Sequence, residues 1–283
     1  RNNVAAFSIN GVRDRLRVLL VSGEPHAGER TWRNLLKSDP AVDLVHFTIL
    51  RPPRKRAYAE RNELSLIPFP THELFEVKLD EFDLIVFDRY RRWGILETRY
   101  ISNIVDFVRE GGAVLVSTGP AFAGVESMFR TPLADILPAA PTSFVIEAAY
   151  RPTLTDLGGR HPVTRTLPGR GGAGGLPTWG RWFRQIDVAA DRGDVIMSGA
   201  DERPLLILDR VDEGRVAMLA SDHAWLWTRG YDGGGPQAEL LRRLAHWLMK
   251  EPELEEEALT AEPAEGGFLV ERRSLADGAK TVT

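Results

Sequence analysis

The 283-residue chain contains no cysteine. That absence removes disulfides, thiolate metal ligands and cysteine nucleophiles together, while leaving the redox compartment open. No apolar run approaches the ~20 residues that a membrane-spanning helix needs. Neither sign of charge dominates: 36 Lys and Arg stand against 40 Asp and Glu, a net charge of −4. Such a balance gives no electrostatic argument for nucleic acid or an anionic membrane surface as partner. What remains is ordinary globular composition, 43% hydrophobic and 27% charged, in a chain long enough to bury a substantial core. The sequence opens Arg1-Asn2-Asn3 without a methionine and is expected to be a piece of something longer.

The stretch from Leu79 to Gly124 organises the rest. Leu84-Ile85-Val86-Phe87 and Ala113-Val114-Leu115-Val116 are unbroken apolar runs, as expected of strands covered on both faces. Between them Ile101, Ile104, Val105 and Val108 recur at helical spacing. Gly111-Gly112 then predicts the helix end, because glycine enters the left-handed region without a Cβ clash. This is a βαβ unit, the building block of parallel sheets with right-handed crossovers.

Elsewhere, Leu16 to Val21 reads as a buried strand, and Glu29–Lys37 as a helix with Trp32, Leu35 and Leu36 inward. Val45, Phe47 and Ile49 alternate with polar residues, as in a strand near a sheet edge. The basic run Arg51 to Arg61 reads as a solvated loop. Pro132 to Pro141 is loop-rich, and Phe144-Val145-Ile146 follows as a short strand. Residues 168–180 are so rich in glycine that a mobile surface loop is predicted. Leu205–Leu208 and Arg215–Ala220, joined at Asp212-Glu213-Gly214, predict an antiparallel hairpin. Gly235-Pro236 opens a last helix, with Pro236 expected at the first helical position where its missing N–H costs nothing, and Leu240, Leu241, Leu244, Trp247 and Leu248 as its buried stripe. The resulting division is an edge strand or a strand of a preceding module over 1–11, one domain over 12–250, an acidic linker over 251–267 and the start of a following β module over 268–283. The fold class is α/β: a flavodoxin-like, doubly wound, mostly parallel sheet with an antiparallel β extension.

In such sheets ligands sit outside the carboxyl ends of the strands. Four loops therefore merit inspection: Glu24-Pro25-His26, Asp88-Arg89-Tyr90, Thr118-Gly119-Pro120 and Ser221-Asp222-His223. The candidate binding crevice comprises Glu24, His26, Asp88, Arg89, Thr118, Asp222 and His223. Two histidines and three carboxylates in one crevice suit metal binding or acid–base work, whereas salt-bridged carboxylates would suit binding alone. Asp222 and His223 are expected at a rim where polar and aromatic groups meet. Ser117 or Thr118 as an elbow nucleophile would require Gly-x-nucleophile-x-Gly, yet Val116 stands where the first glycine belongs. Hydroxyls that satisfy loop backbone groups are the favoured reading. Gly169, Gly171 and Gly174 spell G-x-G-x-x-G, but neither a preceding strand nor a following helix frames a dinucleotide site. Trp179, Trp182, Trp225 and Trp227 suit burial against the hairpin better than an aromatic platform.

Taken together, the GGAVLV strand with its STGPAF loop, the HPVTRTLPG connector and the closing SDHAWLW strand resemble the class I glutamine amidotransferase-like superfamily over residues 12–250. More narrowly they resemble the amidotransferase-like domain of large bacterial membrane proteins, and HPVTR–LPG is similar to the trehalose-utilisation ThuA-like branch. The resemblance implies a flavodoxin-like sheet in a domain tied to a membrane through other parts of its chain, on a side the sequence does not specify. Glutaminase chemistry in that superfamily needs an elbow cysteine supported by a histidine and a glutamate. No thiol exists here, so none of those catalytic residues carries over, and a degenerate, non-catalytic domain is implied. No cofactor, no metal and no nucleic-acid partner is assigned. The expected partners are other domains of the same membrane protein or a separate protein, with a small-molecule ligand as a further option. The alternative is a hydrolase or sugar-modifying enzyme working from the same crevice.

Overall fold

In the computed structural model, residues 15–48, 70–92, 94–171, 175–264 and 267–275 are described. The expectations for residues 1–11, for the basic run 51–61 and for Gly174 fall outside them. The βαβ reading holds: β1 (Leu16–Ser22), α1 (Glu29–Ser38) and β2 (Val42–Thr48) lead to β3 (Leu84–Asp88), α2 (Thr98–Arg109) and β4 (Ala113–Ser117). There follow β5 (Ala139–Ile146), β6 (Thr153–Leu154), α3 (Asp156–Arg160), β7 (Gln185–Ala190) and β8 (Asp194–Ser198). The chain continues through β9 (Pro204–Val211), β10 (Gly214–Leu219), α4 (Trp225–Thr228) and α5 (Gln237–Leu248), then β11 (Ala258–Ala264) and β12 (Gly267–Arg273).

Among these residues eight strands form one sheet in the order β2-β1-β3-β4-β10-β9-β8-β6. The first five run parallel, and β9, β8 and β6 continue antiparallel from β10. β2 lies at the edge, as its alternating pattern predicts. The chain leaves β1 toward β2 on one side and returns as β3 on the other, so the order reverses between β1 and β3. That switch is where a doubly wound sheet opens a crevice.

Each central strand buries both faces, with successive side chains pointing opposite ways. Val18 and Leu20 of β1, Leu84 and Val86 of β3, and Leu115 of β4 join Trp32 and Leu36 of α1 and the apolar stripe of α5. Leu19, Val21, Ile85, Phe87, Val114 and Val116 meet Ile101, Ile104, Val105 and Val108 of α2 on the opposite face. Helix α2 closes at Gly111, whose φ of +120° a side chain would strain.

Three expectations are corrected. The loop-rich stretch ahead of Phe144 is partly strand: β5 begins at Ala139 and pairs with β7 in a separate two-stranded sheet. Its register shifts between Pro141 and Val145, and that irregularity hid it from a strict alternation test. Pro236 precedes α5 as its cap and does not occupy the first helical position. Finally, the acidic stretch over 251–267 is not simply a linker. Glu255 accepts from Arg210 and Arg215, Glu256 from Trp247 Nε1 at 2.8 Å, and Ala258–Ala264 pairs antiparallel with Gly267–Arg273 across the expected boundary at 268.

The glycine-rich loop is also tied at its base. Trp179 Nε1 donates to Pro168 O at 2.7 Å and Thr178 N to Gly169 O at 2.9 Å. Its residues 172–174 lie outside the described residues.

Candidate functional site

The crevice forms where β1, β3, β4 and β10 end side by side. Gly23 follows β1 directly, and a Cβ there would stand 2.3 Å from Arg89 O, so only glycine lets the β1 and β3 loops approach this closely. Gly23 N donates to Asp88 O at 2.8 Å and Arg89 N to Ser117 O at 2.9 Å, stitching three loops together. Arg89 itself has a φ of +48°. A non-glycine residue is costly in that conformation; here its guanidinium links carboxylates from two other loops.

Seven expected residues are thereby brought into one neighbourhood. Arg89 Nη1 donates to Asp222 Oδ2 at 2.9 Å and Nη2 to Glu24 Oε2 at 3.3 Å. Asp88, at the end of β3, accepts from His26 Nε2 at 2.9 Å. His26 Nδ1 accepts from Gly28 N at 3.1 Å, which fixes the hydrogen on Nε2. Burial pushes the Asp88 carboxyl above its usual pKa, with the His26 hydrogen bond opposing. Thr118 is buried, and its hydroxyl donates to Leu219 O at 3.1 Å, as the favoured reading of the elbow predicted.

Asp222 and His223 do not form the open rim expected of them. The Asp222 side chain is only 2% exposed, and Oδ2 also accepts from Arg184 Nη1 at 3.2 Å. Asp222 Oδ1 is buried with no hydrogen-bond partner. His223 Nδ1 accepts from Phe183 N at 3.2 Å, so its hydrogen sits on Nε2, 3.8 Å from Asp222 Oδ1 and beyond hydrogen-bond reach. Burial lowers the His223 pKa; the Asp222 charge opposes, while Arg184, Arg89 and His26 add to the lowering.

Arg184 and Arg91 were missed. Arg91 bridges Glu24 at 3.1 Å and Glu126 at 3.0 Å, and Arg184 spans Asp222 and Glu147. An arginine in a loop carries no local signal of such pairing, and Arg184 reaches the crevice from a segment 38 residues before Asp222. Among the described residues no three His, Asp or Glu side chains are grouped to hold a metal ion. Three of the four expected tryptophans pack inward: Trp227 lies 5.3 Å from Trp179 and 4.8 Å from Trp182 between ring centroids, while Trp225 is half-buried. The SDHAWLW segment is thus a loop and the short helix α4, not a closing strand.

No protein-family model matches this chain, and no curated protein matches it. Solved structures do. A cytoplasmic protein from Salmonella typhimurium LT2 is 16% identical over 82% of this chain and 99% of its own, with a TM-score of 0.58. A second cytoplasmic protein of Salmonella typhimurium gives the same identity and coverage with a TM-score of 0.59. A ThuA-like protein from Bacteroides uniformis is 11% identical over 86% of this chain and 95% of its own, with a TM-score of 0.53. Among the described residues no helix is long and apolar enough to cross a membrane. At these identities the likeness is one of fold: the chain shares its flavodoxin-like, doubly wound architecture with a ThuA-like protein and with these two Salmonella proteins.

Proposed function

We propose that this is a non-catalytic, glutamine amidotransferase-like binding domain, and that it serves a membrane-anchored bacterial protein. One observation carries the non-catalytic reading: apart from His223 Nε2 and the buried Asp222 Oδ1, the crevice groups suited to chemistry are already engaged with one another. Glu24 and Asp222 are held by arginines, and Asp88 by His26. Both ring nitrogens of His26 are occupied, and the Thr118 hydroxyl is spent on a backbone carbonyl. A nucleophile needs a neighbouring base free to take its proton, and a general base needs an unoccupied lone pair. The Thr118 hydroxyl is already donating, and Asp222 Oδ1, a crevice carboxylate oxygen left without a partner, is sealed from solvent. A lattice of arginine–carboxylate pairs at a sheet's carboxyl edge does suit recognition of a polar ligand or a protein segment that competes for the same hydrogen bonds.

The test is turnover. Purified protein is incubated with glutamine and with chromogenic ester and glycoside substrates, and released ammonia or chromophore is measured. No turnover above a heat-killed control is expected; glycoside or ester cleavage abolished by Asp222→Asn would establish the hydrolase alternative instead. The membrane part rests on the sequence resemblance alone. It is checked by fractionating the native host: recovery of the full-length protein in the membrane pellet is expected, and recovery wholly in the soluble fraction would remove it.

A further inference from the structure

A cleft of about 510 Å³ opens between α1 and the α4–α5 corner and shares no lining residue with the crevice. Its size falls within the roughly 300–1,000 Å³ of small-molecule sites. Arg30, Asn34 and Leu35 form one wall, and Trp225, Arg229 and Gln237 the other.

Three features of this lining are unusual together. Gln237 is 6% exposed, and its side-chain amide has no hydrogen-bond partner among the described residues. The amide's polar atoms are not enclosed, so this donor–acceptor pair faces the cleft and is open to an incoming group. Arg30 and Arg229 are exposed and likewise lack an ion pair among the described residues, and the cleft lining contains no carboxylate at all. In a chain where acidic residues outnumber basic ones, that makes a local concentration of uncompensated positive charge. Trp225 is half-buried, and a Cβ on Gly28 would stand 2.5 Å from its Cδ1, so one side of the indole is packed against the α1 entry while the residue still lines the cleft.

We propose that this cleft binds a planar heteroaromatic anion, a ring bearing a phosphate or carboxylate and no larger than a nucleoside monophosphate. The indole supplies a surface for the ring. Gln237 pairs a ring edge that offers both a donor and an acceptor. Arg30 and Arg229 take the anionic group, for which guanidinium geometry is suited. The site is independent of the proposed function of the crevice and stands or falls separately.

Isothermal titration with AMP and with nicotinate tests it, and distinguishes a nucleotide from a heteroaromatic acid as the source of the shared chemistry. Adenosine and ribose 5-phosphate serve as the two half-ligands. Saturable binding of AMP or nicotinate is expected, with each half-ligand at least about tenfold weaker than AMP because a charge-assisted or stacking contact is lost. Arg30→Ala with Arg229→Ala should weaken the anion about tenfold or more, and Gln237→Leu should do so for the ring-bearing ligands only. Both arginines are exposed, so the double variant is expected to keep the wild-type melting temperature and decides the matter even if Gln237→Leu fails to fold. Absence of saturable binding by both anions up to several millimolar, equal binding of ribose 5-phosphate, or binding unchanged by the arginine substitutions would each overturn the proposal.

Discussion

Asp222 holds two guanidiniums with a single oxygen and leaves the other unmatched. Its removal leaves Arg89, which is itself largely buried, with only the longer 3.3 Å pairing to Glu24, and the cost should approach the rule for breaking a buried ion pair, about 3–5 kcal/mol. Asp222→Ala is expected to lower the urea midpoint strongly, without a change in slope. A loss below about 1 kcal/mol would mean that the arginines find other partners. His223→Ala should be milder, because the ring is 15% exposed and its one hydrogen bond is to Phe183 N. The direction of its titration is also fixed. A histidine whose pKa is lowered by folding contributes stability above its unfolded value of about 6.5 and loses it as pH falls below that. Leu115, fully buried in β4, gives the apolar counterpart: Leu115→Ala should cost about 2–5 kcal/mol, measured by denaturant titration.

At the scale of elements, the segment after α5 is the clearest departure from the sequence reading. Burial alone would raise the Glu256 pKa, but hydrogen bonds from His161 and Arg210 outweigh it and bring it down to about 2. A depressed carboxylate contributes stability that is present above its unfolded pKa near 4.5 and is lost as pH falls toward 2. Glu256→Gln should flatten the acid limb of the stability curve between those values, and an unchanged limb would mean that the pairing is not made in solution. Truncation after Lys250, harmless if 251–267 were only a linker, should instead lower the melting temperature, since Arg215 is 3% exposed and would lose Glu255. What was legible and what was not divides along a physical line. β1, β3 and β4 announce themselves because burial on both faces writes a continuous apolar run, and the β9–β10 hairpin because Asp212, at a φ of +48°, and Gly214 mark its turn. The Arg210–Glu255, Arg215–Glu255 and Arg184–Asp222 pairs join residues 38 to 45 positions apart, and ion pairing imposes no periodicity on the chain between. The crevice loops were located through topology, whereas the burial of Asp222 depends on segments that topology alone does not orient.

The molecule as a whole is held by β10. It lies parallel to β4 on one side and antiparallel to β9 on the other, so the parallel half and the antiparallel wing meet at this one strand. Residues 12–135 contain β1 to β4 and both faces' first helices but lack β10 and α5. Produced alone, that fragment should remain poorly dispersed in proton–nitrogen correlation spectra and bind a hydrophobic dye, because β4 is left as an unpaired apolar edge. A folded, monomeric fragment would show that the parallel half is autonomous and that β10 is an addition to it.

The same placement has a consequence in time. About a hundred residues separate the end of β4 from the start of β10. At a synthesis rate of ~5–20 residues per second, β4 emerges some 5–20 seconds before the strand that covers it, while helix α2 needs only about a microsecond to form. For that interval the nascent chain carries a row of unpaired backbone donors and acceptors flanked by Val114, Leu115 and Val116. Whatever the finished domain binds, its first encounter in the cell is one in which this edge must be shielded, and the order of strands in the sheet makes that exposure unavoidable at every round of translation.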